Sequence, residues 1–383
     1  MPLARGPALG YHHALDQLRG AAVLAVVAIH YAGPTRRFFP GAGLAVNVFF
    51  VLSGFLITRL LMEEFDRTGS VDIRAFMRRR IARLAPALLS IVAFIIVAEF
   101  VFDLFGDRAS VVRGIVATLL YVRNWLPVLG IEEPSLGVAW SLAVEEQFYL
   151  LWPFAFVFVA RRRRVSELCV ALLAVGVIGT VARSTLLGVT VSTLKLSTEA
   201  MGLLSIMTGC LLAVWLPTTI EKPRSLRTLK GFGVLGGVVL AGFVFLVPYD
   251  SQVLPRGGWF VVALASAAVI AALVTHRPTG TNVASRFLHW WGVRSYAAYL
   301  WHLPLFAVAR EFSEHDIVER IVALALTVAV AELSLRFIEQ PAQKWIRSRG
   351  RAAAQPVSLE GDVDLRTTVE LGAQPVDKHA SND

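Results

Sequence analysis

Arg19 and His30 lie eleven residues apart in one apolar run. At 3.6 residues per turn that is about three turns, so both face the same way, with an axial offset of about 16 Å. One helix face therefore offers a guanidinium and, farther along, an imidazole. Imidazole suits general-base work, because its unperturbed pKa of about 6.5 lets it take a proton near neutral pH. A fixed guanidinium suits a phosphate. On periodicity alone the pair could equally be structural. Arg19 could pair with Asp16 and reach lipid headgroups, and His30 could be a hydrogen-bonded histidine of a helical bundle.

Two further stretches have the same character. In Trp140-Ser-Leu-Ala-Val-Glu145-Glu146-Gln-Phe-Tyr149, the residues Ser141, Glu145 and Tyr149 repeat every four positions and form one polar stripe. A carboxylate there could orient an imidazole, as the third member of a catalytic triad does, or it could simply bond a neighbouring helix. In Ser295-Tyr296-Ala-Ala-Tyr299-Leu-Trp301-His302, the residues Ser295, Tyr299 and His302 share a stripe. Trp290, Trp291 and Trp301 read as an aromatic interface belt. The run Phe49-Phe-Val-Leu-Ser53-Gly54-Phe55 reads as close helix packing rather than as a nucleophile site. The Arg78–Arg83 cluster is a topology signal that could also receive a polyanion such as a nucleotide carrier.

Composition sets the surroundings of these groups. Of 383 residues, 56% are hydrophobic and 17% charged, against about 45–50% and about 25% in soluble domains. Mean hydropathy is +0.61. Disorder, collagen and disulfide scaffolds are excluded for all but the ends. Several stretches approach the ~20 apolar residues that cross about 30 Å of hydrocarbon. The expected fold class is all-α, a polytopic transmembrane helical bundle. The net charge of +9 is concentrated between apolar runs, which points to the lipid bilayer rather than to nucleic acid. Cys169 and Cys210 both lie in apolar runs, too few for a disulfide framework or a metal cluster. No metal site is expected.

Apolar runs fall at about 14–32, 42–62, 84–105, 111–126, 137–160, 165–183, 199–216, 230–248, 258–275, 287–309 and 318–339. The first is read as a retained helix, since Asp16, Arg19 and His30 interrupt it and no small-residue cleavage pattern follows. If every run spans, basic clusters fall on both sides of the membrane. If 111–126 is re-entrant or interfacial, all of them fall on one side. The expectation is therefore about ten spans plus one non-spanning segment, in a cell (inner) membrane, with both termini cytoplasmic. This topology places His30, Glu145 and His302 in one leaflet. Residues 1–345 form the membrane domain, and 346–383 form a polar, disordered cytoplasmic tail.

Taken together, these segments resemble the acyltransferase-3 family of integral membrane O-acyltransferases. The resemblance is carried by Leu15-Asp-Gln-Leu-Arg19-Gly20 with His30, by Asn47 to Thr58, and by Arg79-Arg80-Ile-Ala-Arg83-Leu-Ala-Pro86. Trp140 to Pro153, Ser295 to His302 and Phe337-Ile-Glu339-Gln-Pro341 follow in the family's order. It covers about residues 11–345 and is closest to the stand-alone form, without an SGNH hydrolase-like domain. The stretch before Gly209 departs from the pattern, with Gly202 and Leu204 where an Arg and an Asp are frequent.

The resemblance implies transfer of an acetyl or longer acyl group from acyl-CoA, a co-substrate rather than a resident cofactor, to a hydroxyl of a carbohydrate or related acceptor: an envelope polysaccharide, a glycolipid or a macrolide. It implies catalytic roles for His30, Glu145 and His302, and donor binding by Arg19. Arg79, Arg80 and Arg83 are placed on the donor's nucleotide. The competing class is a transporter or flippase that uses the same intramembrane polar residues as a substrate path. No inverted repeat supports that class.

Overall fold

Long runs of Leu, Val, Ala and Phe can cross hydrocarbon only if each backbone N–H and C=O is bonded within its own segment, which favours helices. The computed structural model describes residues 3–4, 9–131, 136–186, 191–217, 223–276, 282–311 and 315–352, and among these there is no strand. The helices are α1 (His13–Tyr31), α2 (Ala45–Thr68), α3 (Ile73–Phe102), α4 (Arg108–Leu119), α5 (Trp125–Val128), α6 (Ala139–Ala160) and α7 (Val165–Leu186). They continue with α8 (Val191–Trp215), α9 (Pro223–Leu246), α10 (Trp259–His276), α11 (Val283–Glu311), α12 (Asp316–Leu333) and α13 (Gln340–Ala352).

Seven helical stretches among the described residues are long and apolar enough to cross a membrane. They include α2, α3, α6, α7, α9, α10 and the stretch begun by α12. Helices α1 and α11 fall outside that set although they have 19 and 29 residues. Each carries polar groups: Asp16 and Arg19 on the first, Arg286, His289 and Arg294 on the second. Helix α8 registers as apolar over Met201–Trp215.

The segment at 111–126, expected not to span, is not one continuous helix. Helix α4 has 12 residues, about 18 Å at 1.5 Å per residue, short of the hydrocarbon thickness. Asp107 caps it by accepting from the amides of Ala109 and Ser110.

Two element boundaries differ from expectation. Helix α3 begins at Ile73, capped by Asp72 through the amide of Ala75, not near 84. Its arginine-rich first turns are helical but not apolar, so hydropathy alone misses them. Helix α13 runs to Ala352, past the expected border at 345. Residues 353–383, expected to be a disordered tail, lie outside the described residues.

Helices α1 and α11 run parallel: Asp16 lies beside Gly292, and His30 beside His302. The backbones meet at two glycines. A Cβ built on Gly20 would fall 2.0 Å from the carbonyl oxygen of Leu288, and one on Gly292 would fall 1.8 Å from that of Asp16. Helices α2 and α8 are joined the same way. A Cβ at Gly54 would meet the Ile206 carbonyl at 2.0 Å, which accounts for the glycine of the Ser53-Gly54 pair.

Candidate active site

The site begins with the side chains that α1 and α11 hold against each other. His302 is fully buried, whereas His30 is exposed. The Nδ1 of His302 lies 2.7 Å from the carbonyl oxygen of Tyr299, and the Nδ1 of His30 lies 2.7 Å from that of Val26. A carbonyl only accepts, so each Nδ1 carries the hydrogen. In the neutral rings this leaves His302 Nε2 as an acceptor, and it lies 3.2 Å from His30 Nδ1. His30 Nδ1–H is therefore shared between Val26 and His302. The Nε2 of His30 keeps its lone pair. Tyr31 ties the pair together by donating to the His302 carbonyl at 2.6 Å, while its oxygen sits 2.8 Å from Thr327 Oγ1.

His30 forms part of the wall of a cavity of about 760 Å³, outer in the expected topology, with Arg36, Trp140, Tyr249 and Asp250. A second, inner cavity of about 560 Å³ is lined by Arg19, Arg80, Arg83, Ser53, Glu145 and Tyr149, among others. Arg19 pairs with Asp16 at 3.3 Å, and Asp16 also accepts from the Tyr11 hydroxyl at 2.5 Å. The structural reading of Arg19 and its place on a cavity wall thus hold together. Arg80 lies over the rings of Phe76 and Tyr149, at 5.5 and 5.2 Å. A third cleft of about 730 Å³ is lined by Arg67, Arg78, Arg79, Arg80 and Arg83 together with Glu64. It shares Arg80, Arg83, Leu60 and Glu63 with the inner cavity. Arg79 lines this cleft and not the inner cavity, and pairs with Glu64 at 3.4 Å.

One grouping differs from the expectation. Glu145 accepts from Ser53 Oγ at 2.7 Å, and Tyr149 donates to the same Ser53 oxygen at 2.9 Å. The carboxylate therefore lies with the arginines of the inner cavity, and the group hydrogen-bonded to His30 is His302. Ser141, one turn before Glu145, is bonded to the Tyr299 hydroxyl at 2.6 Å. Ser141, Glu145 and Tyr149 all line the inner cavity, as their shared stripe predicts, whereas Val138 and Trp140, just before the stripe, line the outer one. Ser53, set aside as a packing residue, is a member of the inner site. Its spacing to Glu145 and Tyr149, which come from another helix, gave no signal.

Chemically, the arrangement offers arginines on a cleft and an inner cavity that share lining residues, and the imidazole of His30 on the wall of a neighbouring outer one. Such a layout can hold a polyanionic carrier at one end and deprotonate a hydroxyl at the other.

The profile of an acyltransferase domain matches residues 12–335. The O-acetyltransferase OatA of Staphylococcus aureus is 31% identical over 360 residues, which cover 87% of this chain and 57% of that protein. The peptidoglycan O-acetyltransferase OatA of Listeria monocytogenes is 31% identical over 356 residues, covering 87% and 56%. The chain thus spans little more than half the length of these relatives. No solved structure matches it. With the profile matched over most of its length, the chain belongs to the acyltransferase-3 family of integral membrane proteins.

Proposed function

We propose that this chain moves an acetyl or other short acyl group from acyl-CoA to a hydroxyl of an envelope carbohydrate, with His30 as general base. The observation that carries the reading is the series of neighbouring cavities that share lining residues, with Arg79, Arg80 and Arg83 on the first and the imidazole of His30 on the last. The two relatives named above are O-acetyltransferases, one of them of peptidoglycan. A peptidoglycan sugar is therefore the proposed acceptor.

In this reading the nucleotide phosphates of the donor rest in the cleft against Arg79, Arg80 and Arg83, on the cytoplasmic side, where both termini also lie. The pantetheine arm lies in the inner cavity beside Arg19 and carries the thioester toward His30. The acceptor hydroxyl enters the outer cavity. Nε2 of His30 takes its proton as the oxygen attacks the thioester carbon. The C–S bond then breaks, an ester forms, and the coenzyme leaves as a thiolate, which is a good leaving group. His302 acts as a positioning residue, because its Nε2 holds the Nδ1–H of His30 and so keeps the lone pair on the other nitrogen. Glu145 acts on the donor side, where it holds Ser53.

The test is transfer of label by the purified protein in detergent, from labelled acetyl-CoA to peptidoglycan oligosaccharides. Label recovered as sugar ester is expected. Uptake of a solute into vesicles without any ester would support the transporter class instead. In the same assay, Arg19→Ala is expected to raise KM for acyl-CoA about ten- to hundredfold, the worth of one charged hydrogen bond, with kcat within about threefold. Asp16 keeps its Tyr11 partner in that variant. A change in kcat alone would remove Arg19 from the donor site.

A further inference from the structure

The inner and outer cavities share two lining residues, Val46 and Tyr299. The hydroxyl of Tyr299 sits on the boundary. It lies 2.6 Å from Ser141 Oγ, a residue of the inner cavity, and donates at 3.1 Å to the carbonyl of Val138, a residue of the outer one. Its ring faces Phe49 on the inner side, at 6.4 Å between centroids, and His302 at 5.8 Å. Val46, across the passage, is a buried residue of α2.

We propose that Tyr299 is a gate that limits the group passing between the two cavities to short acyl chains. The proposal rests on the reading of the inner cavity as the thioester site and of His30 as the base. The reasoning is mechanical. The main chain of Tyr299 cannot move without disturbing the site, because its carbonyl accepts from His302 Nδ1 at 2.7 Å and so holds the ring that positions His30. Opening must therefore come from the side chain alone. Two neutral hydrogen bonds, to Ser141 and Val138, hold that side chain shut, and such bonds are a weak latch. The Tyr299 ring borders the space of both cavities, whereas Val46 is buried on the packed α2 helix. A small displacement admits an acetyl group. Each added methylene must fit in a passage bounded by a helix on one side and an aromatic ring on the other, and packed walls of this kind discriminate by size.

The experiment compares acetyl-, butyryl- and hexanoyl-CoA as donors, with a peptidoglycan oligosaccharide as acceptor. The quantity read is the ratio of hexanoyl to acetyl kcat/KM within one preparation, so a lower folded fraction cancels. Tyr299→Ala and Tyr299→Leu are each expected to raise that ratio at least about tenfold, the scale on which a pocket senses added methylenes. Ser141→Ala removes one of the two latch bonds, leaves that to Val138 and keeps the ring, and is expected to raise it about two- to threefold. Should Tyr299→Ala fail to fold, the leucine and Ser141 variants carry the test. A ratio unchanged in the Tyr299 variants, with acetyl transfer still measurable, overturns the gate. Absence of transfer from every thioester by the unaltered protein overturns the reading of the function on which the gate rests.

Discussion

With alanine in place of His30, kcat for acyl transfer is expected to fall about a hundred- to ten-thousandfold, the usual worth of a general base. The geometry limits how that loss can arise. Nδ1 is committed to Val26 and His302, so Nε2 is the nitrogen available to a hydroxyl in the outer cavity. KM for acyl-CoA should change little, because the arginines of the cleft and inner cavity are untouched. The acid limb of the pH–rate profile should also vanish, since a base works only when unprotonated and the variant has lost that group. His302→Gln separates positioning from catalysis. The Val26 carbonyl still holds the His30 tautomer there, so a defect of about five- to tenfold is expected, one neutral hydrogen bond's worth, with the acid limb retained. If His30→Ala turns over at near-normal rate, or His302→Gln loses as much as His30→Ala, the assignment of the base fails.

The parts of this arrangement that could be read from the sequence are those fixed by one helix. Arg19 and His30 both lie on α1, and a period of 3.6 places them on one face without tertiary information. The segment around 111–126 was legible for a similar reason, because charge placement and length both argue against a span, and α4 is short. What failed needed two helices at once. Helix spacing puts Glu145 at the depth of the histidines, yet its partner is Ser53 of α2, a residue whose position relative to α6 no local pattern reveals. The pairing of His30 with His302 was visible only as shared depth. Tyr299 was read as one residue of a polar stripe, because tyrosines recur on membrane helices and nothing local shows that one of them stands between two cavities. The start of α3 was missed because a helix continued by arginines loses its hydropathy before it loses its hydrogen bonds.

The same dependence on helix pairing predicts that a methyl group far from the chemistry will stop it. In Gly292→Ala, the new Cβ would start 1.8 Å from the Asp16 carbonyl oxygen, where real contacts essentially never fall below 3.0 Å. The obstacle is backbone on both sides, so no side chain can swing away. Helix α1 must separate from α11 by at least about 1.2 Å at that level. Overpacking of this kind costs about 1–3 kcal/mol, and the expected result includes a lower thermal midpoint. The larger consequence lies farther along the same two helices. His30 and His302 are held at 3.2 Å by the parallel approach of α1 and α11, and a comparable separation there breaks the bond. Misplacement of a catalytic group by about 1 Å costs on the order of a hundredfold. Gly292→Ala is therefore expected to lower kcat about ten- to hundredfold, and Gly20→Ala, facing the Leu288 carbonyl, should do the same. Gly237→Ala and Gly242→Ala on α9 are the controls, since a Cβ at either meets nothing within 4 Å, and both should turn over normally. A Gly292→Ala protein with lowered stability but unchanged kcat would show that the close approach of α1 and α11 serves folding and not the placement of the imidazole pair.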